Sequence, residues 1–296
     1  MLSMTNKGLI VVNSYEVFGS VEHMSQRLKE EFLPYGITID IKKASVLGLA
    51  IERDSKVSPA KLPYDFAIYL DKDPYISVLL EQTGLPIFNS AAAIAKCDDK
   101  MQTYLALIGS DIAIPKTIAG PLRYSEKENT AFLDEVSKLG FPLVVKENYG
   151  SLGKKVYLAR DMKELKTLEE KISYLPRLYQ EFISSSAGED LRVIVVGGKA
   201  VAAMKRRSIN GDFRSNIALG GVGEKAHPSP LFLEMAERVA LLLGLDYCGV
   251  DLLKGENGEP ILCEVNSNAF IQGIEKVTGV NAAKAYASYI CNKIYK

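Results

Sequence analysis

Residues 9–12 form a short unbroken apolar run, and over 21–32 apolar positions recur at three- and four-residue spacing until Pro34 stops them. The first pattern predicts a strand covered on both faces, the second an amphipathic helix. Apolar runs at 37–41 and 66–70 predict two further strands, the stretch 75–82 closed by Gly84 a helix, and 91–95 a short helix. Strands and helices alternating in this way predict a βαβ-type, partly parallel α/β layer. No G-x-G-x-x-G follows the first strand, which argues against a dinucleotide site there.

From Asp98 onward the pattern changes to an α+β style, so a boundary is expected near residue 97. A helix over 100–107, an extended stretch over 114–119 and a loop over 121–129 lead into helices at 130–139 and 162–171 and strands at 142–146, 155–159 and 178–183. Beyond these, 191–196 and 199–204 flank Gly197-Gly198, a two-residue hairpin signal. The helix 231–243 places Phe232, Met235, Val239 and Leu242 at core spacing and ends at Gly244. The expected division is 1–97 and 98–296, the latter split into 98–183 and 184–296.

Near the C-terminus, Gly249-Val250-Asp251-Leu252-Leu253 and Ile261-Leu262-Cys263-Glu264-Val265-Asn266 flank Asn257-Gly258. That dipeptide predicts a hairpin, and folding symmetrically about it sets Asp251 opposite Glu264. Asn266 shares the face of Glu264 because side chains alternate along a strand. The neighbours are apolar on both faces, so unpaired carboxylates here cost several kcal/mol. Two readings satisfy that constraint: a hard divalent cation such as Mg²⁺, held with substrate phosphates, or a buried ion-pair network.

Composition narrows the partners. Among 296 residues, 36 Lys and Arg balance 36 Asp and Glu with no long like-charge block, which excludes an extended nucleic-acid footprint or an anionic membrane surface. The four cysteines have no C-x-x-C or finger spacing and read as reduced core thiols, and no apolar run is long enough for a signal segment or membrane span. A soluble cytoplasmic protein is expected. Only two histidines are present, too few for a histidine-centred mechanism or a zinc site.

Further candidate chemistry lies on strand ends. Lys146 closes an apolar strand and precedes a loop containing Gly150, Ser151 and Gly153, where a point charge and backbone N–H groups can meet phosphate. Gln180-Glu181-Phe182-Ile183 runs into a Ser/Gly connector at a domain crevice, a preferred place for a small ligand. In Lys205-Arg206-Arg207 alternation turns Arg206 away from its two neighbours.

Lys146, the Gly150/Gly153 loop, Gln180-Glu181-Phe182-Ile183, Gly188-Glu189-Asp190-Leu191-Arg192, Gly211-Asp212-Phe213-Arg214-Ser215-Asn216, Gly249-Val250-Asp251 and Glu264-Val265-Asn266 occur in an order and spacing that resembles the ATP-grasp ligases, in particular the RimK-type ligases that attach glutamate or related amino acids. The resemblance spans about residues 98–296. It implies an ATP-grasp fold, two α+β subdomains (98–183 a central lid, 184–296 metal-binding) gripping ATP, preceded by a small Rossmann-like domain at 1–97. It further implies that Lys100 and Lys146 hold phosphates, that Glu181, Phe182 and Ile183 meet adenine, and that Asp190 takes the ribose. Gly150, Ser151, Gly153 and Ser215 belong to the same ATP site. Asp251, Glu264 and Asn266 would hold two Mg²⁺, or Mn²⁺, and Arg214, Asn216 and Arg206 would face the γ-phosphate and the acceptor.

The implied reaction is amide formation through an acyl phosphate, between an amino acid and a carboxylate-bearing small molecule, peptide or protein C-terminus. A D-alanine–D-alanine-like or dipeptide ligase, a kinase and a non-catalytic ATP-binding regulator are the alternatives, and homo-oligomers are frequent in such families. Two positions depart from the family pattern: Lys155 stands where a third loop glycine is common, and Ser267-Asn268-Ala269-Phe270 replaces Ser-Pro-Gly beside the acceptor.

Overall fold

The computed structural model describes residues 6–15, 19–125 and 130–295. The first sheet, in the order β2-β1-β5-β6, combines β1 (Lys7–Val12), β2 (Thr38–Lys43), β5 (Phe66–Tyr69) and β6 (Ile87–Phe88), while β3 (Ala50–Ile51) and β4 (Val57–Ser58) form a separate ribbon. All pairings in the four-stranded sheet are parallel. Helices α1 (Gly19–Phe32), α2 (Pro74–Gln82) and α3 (Ala91–Asp98) connect or follow its strands. Asp73 caps α2 by accepting from the backbone N–H groups of Tyr75 and Ile76, with Pro74 at the first helical position.

After α4 (Lys100–Ala106) the chain enters an antiparallel sheet, ordered β7-β10-β8-β9, made of β7 (Thr117–Ala119), β8 (Leu143–Glu147), β9 (Val156–Ala159) and β10 (Arg177–Glu181). Helices α5 (Thr130–Ser137) and α6 (Met162–Ile172) bury Leu133, Val136, Leu165 and Ile172 with β-strand residues in one core. The extended stretch expected over 114–119 is a strand only from Thr117. Residues 126–129 of the expected 121–129 loop lie outside the described residues, and 121–125 are loop.

A five-stranded antiparallel sheet, ordered β13-β12-β11-β14-β15, closes the chain: β11 (Glu189–Val196), β12 (Lys199–Arg207), β13 (Val222–Lys225), β14 (Tyr247–Lys254) and β15 (Pro260–Asn266). Gly197 and Gly198 both have positive φ, 56° and 77°, which a tight two-residue turn between β11 and β12 requires. Helix α7 (Pro230–Leu243) covers one face through Ala236, Val239, Ala240 and Leu243. Leu242, expected in that core, is instead 41% exposed, and Phe232 and Met235 are only partly buried. The small residues Ala236 and Ala240 let the helix backbone sit close to the sheet, which rotates the leucine at 242 outward.

The other face of this sheet meets α8 (Gln272–Thr278) and α9 (Ala282–Ile294), and there the core does not stop at a domain border. Ile10, Phe32, Phe66 and Phe88 from the first sheet and its helix share one apolar cluster with Ile194, Tyr247, Tyr286 and Ile290. Asn89 locks the junction: its amide donates to the carbonyls of Tyr247 and Ser267, and its oxygen accepts from the N–H groups of Asp246 and Tyr247. The first and third sheets are therefore a single packed body. Ile290→Ala, which empties part of that shared cluster, is expected to cost about 2–5 kcal/mol and to lower the urea midpoint of one cooperative transition; two separate transitions in wild-type protein would contradict the shared core.

Candidate functional site

The β14–β15 hairpin sets Asp251 opposite Glu264, but by a different route from the symmetrical fold expected. Its loop holds three residues beyond the Gly255–Glu259 hydrogen bond, with Gly258 at φ 87°, so the strands pair one residue out of the predicted register below the carboxylates. A bulge between Asp251 and Leu252 absorbs the extra residue and restores the Asp251–Glu264 pair. Asn266 donates from its amide to Asp251 at 3.3 Å.

Asp251 is 2% exposed and is held by two arginines. Arg192, directly across on β11, donates to both carboxylate oxygens at 2.7 and 2.6 Å. Arg206 on β12 lies 2.8 Å from the same carboxylate and also pairs with Asp190. Burial alone would raise the Asp251 pKa; the two guanidiniums outweigh it and hold the carboxyl below its ordinary value. Burial likewise opposes the charge on Arg206, and Asp251 and Asp190 more than restore it. The buried ion-pair reading of the hairpin is thus realised in the structure, and it brings in an arginine, Arg192, to which no role was assigned from sequence. Its signal was present: Asp190 and Arg192 are two apart on one strand and so share a face.

Two lysines approach this hairpin, one from α4 and one from β8. Lys100 begins α4, whose N-terminus is capped by Asp99, and its ammonium reaches the carbonyl of Gly150 at 3.0 Å and Glu264 at 3.5 Å. Lys146, next to last in β8, lies 3.9 Å from the Cys263 sulfur. Burial opposes its charge, but Cys263, Tyr104, Glu264 and Asp251 around it raise its pKa overall. The Cys263 thiol is itself pushed up to about 11 by burial, so it is neutral near pH 7 and the lasting support for the ammonium is the pair of carboxylates.

Lys100, Lys146, Arg206, Asp251, Cys263 and Glu264, but not Arg192, line one pocket together with Gly153, Glu181, Phe182, Ile183, Asp190, Arg214, Ser215 and Asn216. Gly150, Ser151 and Asn266 are not among its lining residues. Asp190, expected to be open to a ribose, is 8% exposed in its side chain and tied to Arg206. At the opposite end Phe182 meets Phe213 edge to face, ring centroids 6.2 Å apart, beside Val144 and Leu253. The motifs containing Phe213 and Gln180 carry no signal for either role; Gln180 donates to Thr117 and so fixes the strand under that apolar end.

The loop carrying Phe213 is fastened to the glycine loop. Arg214 is gripped by Asp212 and donates to the carbonyl of Gly153 at 2.7 Å. Gly153 has φ 72°, and a Cβ there would come within 2.5 Å of the Asn216 side-chain oxygen, so glycine serves both conformation and close approach. Lys155 does not point at the pocket: it pairs with Glu147 at 2.8 Å, and its stem fills the space where a Cβ on Gly150 would sit.

The pocket lining carries four cations, Lys100, Lys146, Arg206 and Arg214, and five carboxylates, Glu181, Glu189, Asp190, Asp251 and Glu264, while Arg192 pairs with Asp251 from outside that lining. Lys100 and Lys146 both lie near Glu264 within that lining, ammonium groups able to meet phosphate. Among the described residues no three His, Cys, Asp or Glu side chains gather as a metal set. The hairpin offers two carboxylates and an amide instead, a hard oxygen donor set that fits Mg²⁺ completed by phosphate oxygens.

A RimK-like ATP-grasp domain model matches residues 97–290. The chain belongs to the RimK-like ATP-grasp family. Among curated relatives, a human (Homo sapiens) protein named beta-citrylglutamate synthase B is 38% identical over 225 residues, 75% of this chain and 57% of that protein. A probable alpha-L-glutamate ligase from Maridesulfovibrio salexigens is 38% identical over 213 residues, 71% of this chain and 68% of its own length. The chain thus spans little more than half of the synthase. An ATP-grasp RimK domain protein from Sphaerobacter thermophilus superposes with TM-score 0.71 at 21% identity, covering 96% of this chain and 98% of its own. A D-alanine–D-alanine ligase from Bacillus anthracis, crystallised with ATP, gives 0.69 at 21% identity, covering 98% of this chain and 96% of its own. At these identities the structural likeness shows the ATP-grasp fold.

Within this RimK-like chain, Arg192→Met removes one partner of a fully buried carboxylate while Arg206 remains. The expected loss of stability lies near or below the lower end of the ~3–5 kcal/mol for breaking a buried pair. Urea unfolding of ligand-free protein measures it, and an unchanged midpoint would show that Arg192 carries none of the burden.

Proposed function

We propose that the chain is an ATP-dependent carboxylate–amine ligase that uses glutamate as the amine and a small acid, a peptide or a protein C-terminus as the carboxylate. The observation that carries this reading is the convergence of the hairpin oxygen donors of Asp251 and Glu264 with Lys100 and Lys146 in one pocket. Glutamate is favoured because it is common to the names of the synthase and the ligase that this chain resembles, while their acids differ. No helix among the described residues is long and apolar enough to cross a membrane. We assign a cytoplasmic setting, in keeping with four free cysteines and a need for ATP.

In this proposal Lys100 and Lys146 hold phosphate oxygens of ATP, and the adenine lies toward Phe182, Ile183 and Glu181. Asp190 serves the ribose side once Arg206 yields it. Asp251, Glu264 and Asn266 would hold two Mg²⁺ or Mn²⁺, Asp251 exchanging an arginine contact for the metal, and the ions would supply neutralisation of phosphate charge. Arg214, Ser215 and Asn216 sit where the fastened loop closes over the phosphates, and Arg206 stands behind the hairpin toward the acceptor.

The substrate carboxylate oxygen attacks the γ-phosphorus and ADP departs, leaving an acyl phosphate. The amine nitrogen of glutamate then attacks the acyl carbon, phosphate departs, and the nitrogen loses a proton as the amide forms. No protein nucleophile is needed, so catalysis rests on positioning and charge neutralisation. A cation about 4 Å from a phosphate charge is worth about 4 kcal/mol at an effective dielectric near 20, before desolvation.

Purified chain given Mg-ATP, glutamate, a pool of carboxylic acids and hydroxylamine is expected to release ADP and phosphate in equal amounts and to yield a hydroxamate. A kinase would retain the phosphoryl group on a stable product, a nucleotide-binding regulator would give no turnover, and preference for D-alanine over glutamate would move the assignment to a dipeptide ligase. Glu264→Gln, near-isosteric, is expected to lower turnover by about 10²-fold or more with the thermal midpoint little changed; full activity in that variant would remove Glu264 from the site.

A further inference from the structure

The outward stripe of α7 is unusual for a solvated helix. Leu231, Glu234, Arg238, Leu241 and Leu242 fall on one face at helical spacing and are all exposed, with Leu231 60% and Leu241 74% accessible. Helix α4 packs alongside α7, and the segment after it carries Ile108, 77% exposed, and Asp111, which approaches Arg238 at 3.8 Å. Large exposed aliphatic side chains at both ends of one helix face, with an acidic and a basic residue between them, suit an interaction surface.

We propose that this face pairs with a second copy of the same chain, α7 against α7 in antiparallel orientation. A two-fold axis makes the contact self-complementary, so residue i of one copy meets residue j of the other and the reverse. With the axis at the height of Ala236, residues whose numbers lie equally above and below 236 come level. Glu234 then faces Arg238 of the second copy, twice over, and Leu231 faces Leu241, also twice. The stripe is thus complementary to itself in charge and in apolar character at one register. A shift of one helical turn would oppose like charges or strand the leucines against water. Leu242 and Ile108 widen the apolar contact on either side. The formal net charge of zero leaves little long-range repulsion to prevent such pairing.

Sedimentation velocity of the full chain over a hundredfold concentration range tests this. The expected species is a dimer of about 65 kDa, twice the 32.5 kDa of one chain. Leu241→Glu is expected to return it to monomer. Glu234→Arg alone and Arg238→Glu alone should each weaken association by about tenfold or more, whereas the two together restore it, since the pair is merely reversed. All three positions are exposed, and circular dichroism checks that each variant is folded. A wild-type chain that stays monomeric throughout, or a dimer indifferent to Leu241→Glu and to the charge reversals, overturns the proposal; single reversals that weaken without rescue by the double one overturn the register.

Discussion

The buried carboxylate of Asp251 is the constraint around which the last five strands are arranged. A lone carboxylate at that depth would cost several kcal/mol, and the chain meets it from two neighbouring strands, Arg192 across one ladder and Arg206 across the next. Because Arg206 is shared with Asp190, and Asn266 also donates to Asp251, the network ties β11, β12, β14 and β15 together along one face. Sheet register and site geometry are consequently one problem: a one-residue slip in β14 would point Asp251 into the opposite apolar core.

The same network gives the proposed chemistry its starting state. Lys100, Arg192 and Arg206 are each paired with a site carboxylate, and Lys146 lies among Cys263, Glu264 and Asp251, so the cations are positioned before any ligand arrives. Preorganised charge of this kind needs little rearrangement when phosphate charge shifts during transfer. The fastening of Arg214 onto the glycine loop adds a physical closure between the two halves of the grasp. The Lys155–Glu147 pair stiffens that loop from outside the pocket, which explains how a lysine can stand where a glycine is common without obstructing phosphate.

Much of this was legible in the residues, for identifiable reasons. Long periodic segments such as α1 and the apolar strands β8 and β14 carry their type in their spacing, and the Gly197-Gly198 turn declares itself because only positive φ fits there. The Asp251–Glu264 pairing was foreseen through two errors that cancel, a loop one residue longer than a tight turn and a bulge that takes up the difference. Propensity does not encode where a bulge falls. The outward turn of Leu242 was missed because helical spacing identifies a face but not which of two apolar faces the sheet takes; the alanines at 236 and 240 decide that through close approach. The fusion of the first and third sheets into one core was equally hidden, since it depends on contacts between residues such as Phe66 and Tyr286 that are far apart along the chain.

The ion-pair partner of each site carboxylate was legible only in part, through the shared face of Asp190 and Arg192, because partners across a sheet come from distant strands. The family resemblance supplied roles for Asp251 and Glu264, and the structure adds Arg192 and Arg206 around Asp251 and Lys100 beside Glu264. The most direct test of the central claim is a Mn²⁺ titration followed by electron paramagnetic resonance, with a nonhydrolysable ATP analogue present. The account predicts about two manganese ions per chain taken up only with nucleotide, and loss of that uptake in Asp251→Asn and Glu264→Gln variants that remain folded. Equal manganese uptake by those variants and by the wild-type chain would contradict it.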